Sequence, residues 1–461
     1  MNFRLLRLWC ALCGLVAVLL FASTLAEIPF RSALRGYDNT FNYLWLRSAM
    51  VDGDWDFAND LAACDTLVPE QRASALALPR TAAGRIPNKY GVGWALVSAP
   101  FYALADLVMI AGRGLGVTSL ARDGFNPVYQ ACIQGGHFAL ALFSLALAAN
   151  VVRRWTGAER GAGLAGVVFV WAASPLLYYQ TANLSMSHGV AFFAIAGFAY
   201  ALLRARSDGG AWWLLAGGAW GLAVITRFPL GVFGVAALWA FLEVARDQCP
   251  DSDLATQPGT PGARSASARI SRAMRAAGAF GLGAAPLLGL QLWAWHSVYG
   301  EWLVFSYGVE GEQFHWSEPE LVWSLFSARH GLFYWHPFLL AGAGGLLALL
   351  GTRRAAAAGW GLAVAAMVYV NAAWWCWWFA SSFGNRGYDA ALLPLMAGTA
   401  WLLQRAAPGA RVVLCGLAVA AGGWNFYLVT LYRSGAISRH EPVTWTEMVR
   451  AAARLPAALR F

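Results

Sequence analysis

Residues 87–111 read PNKYGVGWALVSAPFYALADLVMIA, and the architecture of the chain turns on whether this stretch crosses a bilayer or lies along its surface. It contains one of twelve apolar segments, which fall at roughly 5–26, 94–111, 127–150, 161–183, 188–203, 211–226, 229–244, 277–297, 331–351, 355–377, 388–404 and 411–431. Crossing the hydrocarbon takes about 20 apolar residues of helix. Arg and Lys in the short connections favour the cytoplasmic side. The Arg-bearing short loops are Arg153-Arg154 to Arg160, Arg204 to Arg206, Arg264 to Arg275, Arg353-Arg354 and Arg405 to Arg411. If all twelve segments crossed, Arg4 and Arg7 would face away from every one of these loops. If 94–111 lies along the interface, all six clusters fall on one side. Pro100 within the segment and the Gly112 to Gly116 break after it favour that second reading.

The expected fold is an all-α polytopic membrane protein with eleven transmembrane helices, the N-terminus inside and the C-terminus outside. Its first outer loop, 27–126, carries the juxtamembrane helices. Residues 1–404 form one transmembrane module, and 405–461 supply a C-terminal span and an outer-face tail. Residues 247–275, rich in Ser, Ala, Arg, Gly and Pro, read as a disordered cytoplasmic linker. The pair 211–226 and 229–244 is joined only by Arg227 and Phe228, with Pro229 opening the second helix. Arg4 and Arg7 before an apolar run superficially resemble a signal peptide, but the run is long for one, and an uncleaved first helix is expected.

Composition agrees: 59% of the 461 residues are hydrophobic, 12% are charged and the mean hydropathy is +0.50, which excludes a water-soluble globular surface. The net charge of +9 sits in short loops rather than on one continuous face, so it reads as membrane orientation and not as a nucleic-acid surface. Most of the seven cysteines fall inside apolar segments and follow no disulfide or zinc spacing. No internal repeat suggests an inverted-repeat transporter. No Gly-rich nucleotide loop suggests an ATP-driven pump.

The ionisable residues concentrate on the outer face. The first loop opens with GYDNTFNY (36–43) and continues with VDGDWDFAND (51–60), so Asp38, Asp52, Asp54, Asp56 and Asp60 lie within 23 residues. Such carboxylates on an aromatic, membrane-proximal surface are candidates for a general base or a metal ligand. Asp38 stands out because neighbouring aromatics can desolvate it. Asp54 and Asp56 are supporting acidic candidates. Arg85 and Lys89 follow, and Lys89 is the only lysine among 33 basic residues, a point charge suited to a phosphate. His188, Arg227, Arg329, His330 and Arg386 map to the outer ends of spans, where the phosphate of a lipid carrier lies. An ion pair between Arg386 and Asp389 is the structural alternative for that arginine. Tryptophans 374, 375, 377 and 378 are an interfacial belt or a surface for an isoprenoid chain. Carboxylates that accept a proton from a hydroxyl, beside cations that stabilise a departing phosphate, suit glycosyl transfer from a phospho-sugar.

The order of the motifs resembles bacterial membrane glycosyltransferases of the GT-C superfamily, which includes the protein O-mannosyltransferases and the enzyme that adds aminoarabinose to lipid A. The resembling runs are DGDWDFAND (52–60), PNKYGVGWALVSAP (87–100), MSH (186–188), SARHGLFYWHP (327–337) and SFGNR (382–386). The resemblance implies a bacterial inner-membrane enzyme with an extracytoplasmic active site. It implies an inverting displacement with Asp38 as base, and a basic residue at the juxtamembrane helix, Lys89 with Arg85 beside it, on the carrier phosphate. Arg386 joins them as a phosphate ligand, and His188, Arg227, Arg329 and His330 are donor- or acceptor-site candidates. The partners implied are a polyprenyl-phosphate sugar donor, a lipid, glycan or protein acceptor, and membrane lipids, with no nucleic acid. No cofactor is firmly implied, and a divalent metal stays open. Two departures bear on the donor and the metal: Pro87 has no adjacent second proline, and the acidic residue some members carry at a later span end is replaced around Ser187 and His188. A lipid-linked sugar flippase and an O-antigen ligase or polymerase type of transferase are the alternatives.

Overall fold

The computed structural model describes residues 3–29, 32–34, 36–64, 66–117, 121–246, 266–352 and 355–455. Among these the regular elements are all helices, joined by loops. Its helices are α1 (Phe3–Glu27), α2 (Tyr37–Arg47), α3 (Phe57–Ala63), α4 (Pro69–Leu76), α5 (Gly93–Gly114), α6 (Pro127–Thr156), α7 (Arg160–Ala172), α8 (Leu176–Thr181), α9 (Ser187–Asp208) and α10 (Ala211–Thr226). They continue with α11 (Gly234–Ala245), α12 (Ala266–Tyr299), α13 (Leu321–Phe326), α14 (Leu332–Trp335), α15 (Leu339–Gly351), α16 (Ala355–Ala373), α17 (Leu392–Arg405), α18 (Pro408–Ser434) and α19 (Trp445–Arg450).

Seven of the described helices are long and apolar enough to cross a membrane by length and composition, and four shorter apolar ones accompany them. Each of the eleven expected spans is a helix or a helix interrupted once. The interruptions have local causes. Pro175 separates α7 from α8, and Pro337 separates α14 from α15, because proline lacks the N–H the helix ladder requires. Pro229 opens a 3-10 turn, Phe228–Phe233, which leads into α11. The expected linker 247–275 is shorter than the sequence suggests: α12 begins at Ala266, so residues 266–275 are its first turns. Residues 247–265, which include Arg264 and Cys249, and the Arg353-Arg354 pair lie outside the described residues, as does the Arg4 side chain.

α5 is long enough to span, yet its contacts keep it at one end of the bundle. Ser98 Oγ lies 2.9 Å from His137 Nε2, ten residues into α6, while Asp106, farther along α5, meets the Tyr129 hydroxyl at 2.7 Å near the start of α6. The two helices are therefore antiparallel over the first third of α6 only. At that same end Gln130 accepts from Ala33 N at 2.8 Å, just beyond α1. The Arg-bearing turns gather at the other end, where Arg206 pairs with Glu243 at 2.5 Å and Glu159 N donates to Gln404 at 3.3 Å.

Small residues let the helices touch. A Cβ on Gly398 of α17 would run into the Gly342 carbonyl of α15, and one on Gly345 would run into the Gly398 carbonyl. Lipid supplies no hydrophobic drive between helices, so this backbone approach supplies the dispersion contact that holds them. Leucines and valines on the outward faces, such as Leu12, Leu282 and Val412, are exposed to the surroundings of the bundle.

Gly398→Leu is expected to destabilise the bundle by about 3 kcal/mol or more, seen as a lower unfolding temperature in detergent. Gly278→Leu, where no atom lies within 4 Å of the new Cβ, is expected to leave it unchanged.

Candidate active site

The three outer loops expected from the sequence converge. Segment 306–316 lies along the end of α16 and the turn after it, with His315 N donating to the Ala373 carbonyl at 2.6 Å and Trp375 N to the Gln313 carbonyl at 3.1 Å. The first loop reaches both through α2 and through PNKYGVGW. Gly36, at φ 94°, turns the chain into α2 and puts Asp38 in the first turn of that helix. Residues 88–93 thread between α2 and α10. Asn88 donates to the Phe41 carbonyl at 2.8 Å, and Trp45 Nε1 donates to the Tyr90 carbonyl at 3.0 Å. Gly91 and Gly93 permit the approach, since a Cβ on either would collide with the Ile225–Thr226 backbone. This threading delivers Lys89 and Tyr90 beside Asp38.

Asp38 accepts from the Tyr90 hydroxyl at 2.6 Å and from Arg386 Nη2 at 2.7 Å. Arg386 therefore pairs with Asp38 and not with Asp389, the alternative its sequence neighbourhood offers. Burial raises the Asp38 pKa, but the Arg386 charge, the Tyr90 hydrogen bond, Lys89 and Arg227 together outweigh it and hold the carboxyl below its ordinary range.

Lys89 is buried and clamped, with Nζ 2.8 Å from Glu310 Oε2 and 3.1 Å from Glu312 Oε1. The rings of Tyr37, Tyr90 and Tyr307 surround it at 5.4, 5.7 and 5.8 Å. Burial lowers its pKa, and the two carboxylates reverse that and raise it. Glu312 moves upward because burial exceeds the pull of Lys89. As it stands, the ammonium has two anionic partners before any phosphate arrives.

Two cavities meet at the Asp38–Arg386 pair. One, of about 1010 Å³, has a mainly apolar and aromatic wall that includes Phe228, Trp295, Phe305, Tyr307, Trp374 and Phe379. Arg227, Lys89 and Glu312 also face it. The other, of about 490 Å³, is lined by polar groups such as Asn39, Asn183, Ser381, Arg433 and Arg439. Asp38, Met186, Ala380 and Arg386 line both. Phe379 and Ala380 lie in the left-handed region, with φ of 57° and 49°, which is costly for residues with a Cβ. That kink brings the Phe379 ring to 6.0 Å from the Arg227 guanidinium and 5.8 Å from that of Arg386. Gly387 is needed there, because a Cβ would strike the Phe379 ring.

Other sequence candidates stand elsewhere. Asp54 accepts from Ser48 Oγ and Asp56 N, both at 3.0 Å, and Asp56 caps α3 through Ala58 N at 3.3 Å, so both hold a turn together and line neither cavity. Arg85 lines neither cavity. Arg329 stacks on Trp378 at 4.3 Å and donates to the His440 carbonyl at 3.1 Å. His330, which burial lowers to about 4, binds the Trp378 carbonyl at 2.9 Å. These two shape the third loop from behind. Asp60, wholly buried, is pushed up to about 6 by burial against the pull of Arg47, its partner at 2.6 Å. Among the described residues no group of three or more His, Cys, Asp or Glu is placed to hold a metal ion.

Tyr90 and Glu312 line the larger cavity and were missed by the sequence reading, as was Glu310, which joins them through Lys89. Tyr90 adjoins Lys89 in a motif already singled out, and the glutamates lie in GVEGEQ (308–313), where a lone lysine elsewhere asks for an acidic partner.

The structure is similar to that of ArnT from Cupriavidus metallidurans bound to undecaprenyl phosphate, with a TM-score of 0.52 and 15% identity, covering 100% of this chain and 70% of that one. It is also similar to ArnT from the same organism in the apo state, with a TM-score of 0.50 and 13% identity, covering 98% and 72%. No protein-family model and no curated protein matches the sequence. The chain thus shares its fold with ArnT.

Lys89→Met is expected to leave two glutamates without a cation and to lower stability by about 3 kcal/mol, read as a drop in unfolding temperature. Adding Glu310→Gln and Glu312→Gln is expected to recover most of the loss. A loss unchanged by those two substitutions would show that the clamp is not what Lys89 contributes.

Proposed function

We propose that the protein is a glycosyltransferase that moves a sugar from a polyprenyl-phosphate carrier to a hydroxyl of a lipid, glycan or protein acceptor. The observation that carries this reading is the Asp38–Arg386 pair, at 2.7 Å, on the seam between an apolar and a polar cavity. An isoprenoid chain suits the aromatic wall, and a hydroxylated acceptor suits the polar side. The likeness to ArnT bound to undecaprenyl phosphate supports the same assignment of the carrier.

In the proposed step the acceptor oxygen attacks the anomeric carbon from the polar side, and its proton passes to Asp38. The bond from the anomeric carbon to the phosphate oxygen breaks, and the lipid phosphate leaves with the electron pair, which inverts the anomeric centre. The depressed pKa keeps Asp38 ionised and ready to accept. Arg227 and Arg386 face the apolar cavity and stabilise the charge gathering on the phosphate. Lys89, with two glutamates already on it, contributes by holding the 306–316 segment against the first loop. No step calls on a metal. The same reading takes the Arg-rich end of the bundle as cytoplasmic, in line with the positive-inside rule, and the reaction as one on the extracytoplasmic face of a bacterial inner membrane.

The test is turnover of radiolabelled polyprenyl-phosphate sugars by purified protein in nanodiscs. Asp38→Asn is expected to cut transfer by about 100-fold or more while the protein stays folded. Full transfer by that variant would remove Asp38 from the chemistry, and a wild-type protein that carries labelled donor across a vesicle membrane without transferring its sugar would favour the flippase. A pH–rate profile checks the electrostatics. Asp38 loses its proton-accepting form as pH falls through its depressed pKa, so the acid limb is expected below the ordinary carboxylate range. Arg386→Met removes the largest opposing charge and is expected to move that limb to higher pH.

A further inference from the structure

Three cations face the apolar cavity, and they are not equivalent. Lys89 has two glutamates and Arg386 has Asp38. Among the described residues no carboxylate lies within ion-pair distance of Arg227. Its contact is with a histidine: Arg227 Nη1 is 2.8 Å from His188 Nε2. A guanidinium can only donate, so Nε2 accepts and the imidazole proton resides on Nδ1. Nδ1 lies 3.3 Å from Asp389 Oδ2 without a hydrogen bond between them. His188 and Asp389 are each 1% exposed, and neither Asp389 oxygen has a hydrogen-bond partner. The imidazole is fixed on its flat side by Tyr179, with ring centroids 4.8 Å apart. Tyr179 is itself held where its hydroxyl accepts from Phe383 N at 3.0 Å.

We infer that His188 is a positioning residue for Arg227: the imidazole fixes one arm of the guanidinium without neutralising it. The remaining N–H groups of Arg227 and its full charge stay available to the carrier phosphate. A carboxylate in direct contact would orient the arginine equally well but would compete with the phosphate, as the glutamates do at Lys89. A neutral imidazole supplies orientation without that competition. The chain achieves this with residues 39 positions apart, from the MSH step at the start of α9 and from the turn that follows α10.

This inference rests on the reading of the apolar cavity as the carrier site. The experiment is a double-mutant cycle on full-length protein in nanodiscs, with binding of undecaprenyl phosphate as the readout and thermal unfolding as the control. Loss of a hydrogen bond to a charged group corresponds to about a tenfold change in affinity, so Arg227→Met and His188→Phe are each expected to raise Kd by about that factor. His188→Phe is expected to add little in the Arg227→Met background, because its effect passes through that arginine. His188→Gln, which keeps an acceptor near the Nε2 position, is expected to recover most of the affinity. If His188→Phe does not fold, His188→Ala carries the same cycle and is expected to weaken binding only when Arg227 is present. Equal losses with and without Arg227, or no loss from removing the imidazole, would overturn the positioning role while leaving the carrier site intact. An unchanged Kd in Arg227→Met would overturn the carrier-site reading itself, and the positioning role with it.

Discussion

The ion pair between Asp38 and Arg386 joins two parts of the chain 348 residues apart, and the geometry of this end of the bundle follows from it. Asp38 belongs to a helix in the first loop, which could pack in many ways on the spans beneath it. Arg386 belongs to a loop tied to the last third of the bundle. Their contact, reinforced by the Tyr90 hydroxyl, fixes one against the other. It also brings a carboxylate and a guanidinium to a place open on both sides, where each has capacity left for other partners.

Charge on this face is apportioned unevenly, and that decides which cations can serve a ligand. Lys89 carries the most conspicuous signal in the sequence as the sole lysine, yet its ammonium is the most fully occupied. Its energetic role is to close a strap: without it, two carboxylates would be left half-buried among tyrosines. Arg227 is inconspicuous among 32 arginines, yet among the described residues it meets no carboxylate within ion-pair distance and binds an imidazole instead. Occupancy by internal counter-ions distinguishes the two cations better than their residue type does.

Backbone strain is concentrated in the same place. Phe379 and Ala380 occupy the left-handed region, and the Gly387 that lets the Phe379 ring fit lies one residue from Arg386. A phenylalanine held in that conformation costs about 1–2 kcal/mol, which the surrounding packing offsets. What the kink delivers is an aromatic face between two guanidinium groups, with Ala380 on the wall of both cavities.

Hydrophobic periodicity and the placement of arginine by themselves determined the class of fold, the twelve apolar segments and the assignment of 94–111 to one end of the bundle, because a bilayer imposes length and charge rules that act along the chain. The gathering of ionisable residues at one set of span ends was legible for the same reason. What only the tertiary structure decided was pairing. Arg386 binds Asp38 and not its neighbour Asp389; His188 meets Arg227; Asp54 and Asp56 hold a turn together; and the glutamates on Lys89 come from a loop 221 and 223 residues away. These are contacts between different helices and loops, set by glycine-mediated approach and by where proline interrupts a span. No spacing along the sequence encodes them, because the distances that matter are measured across the bundle.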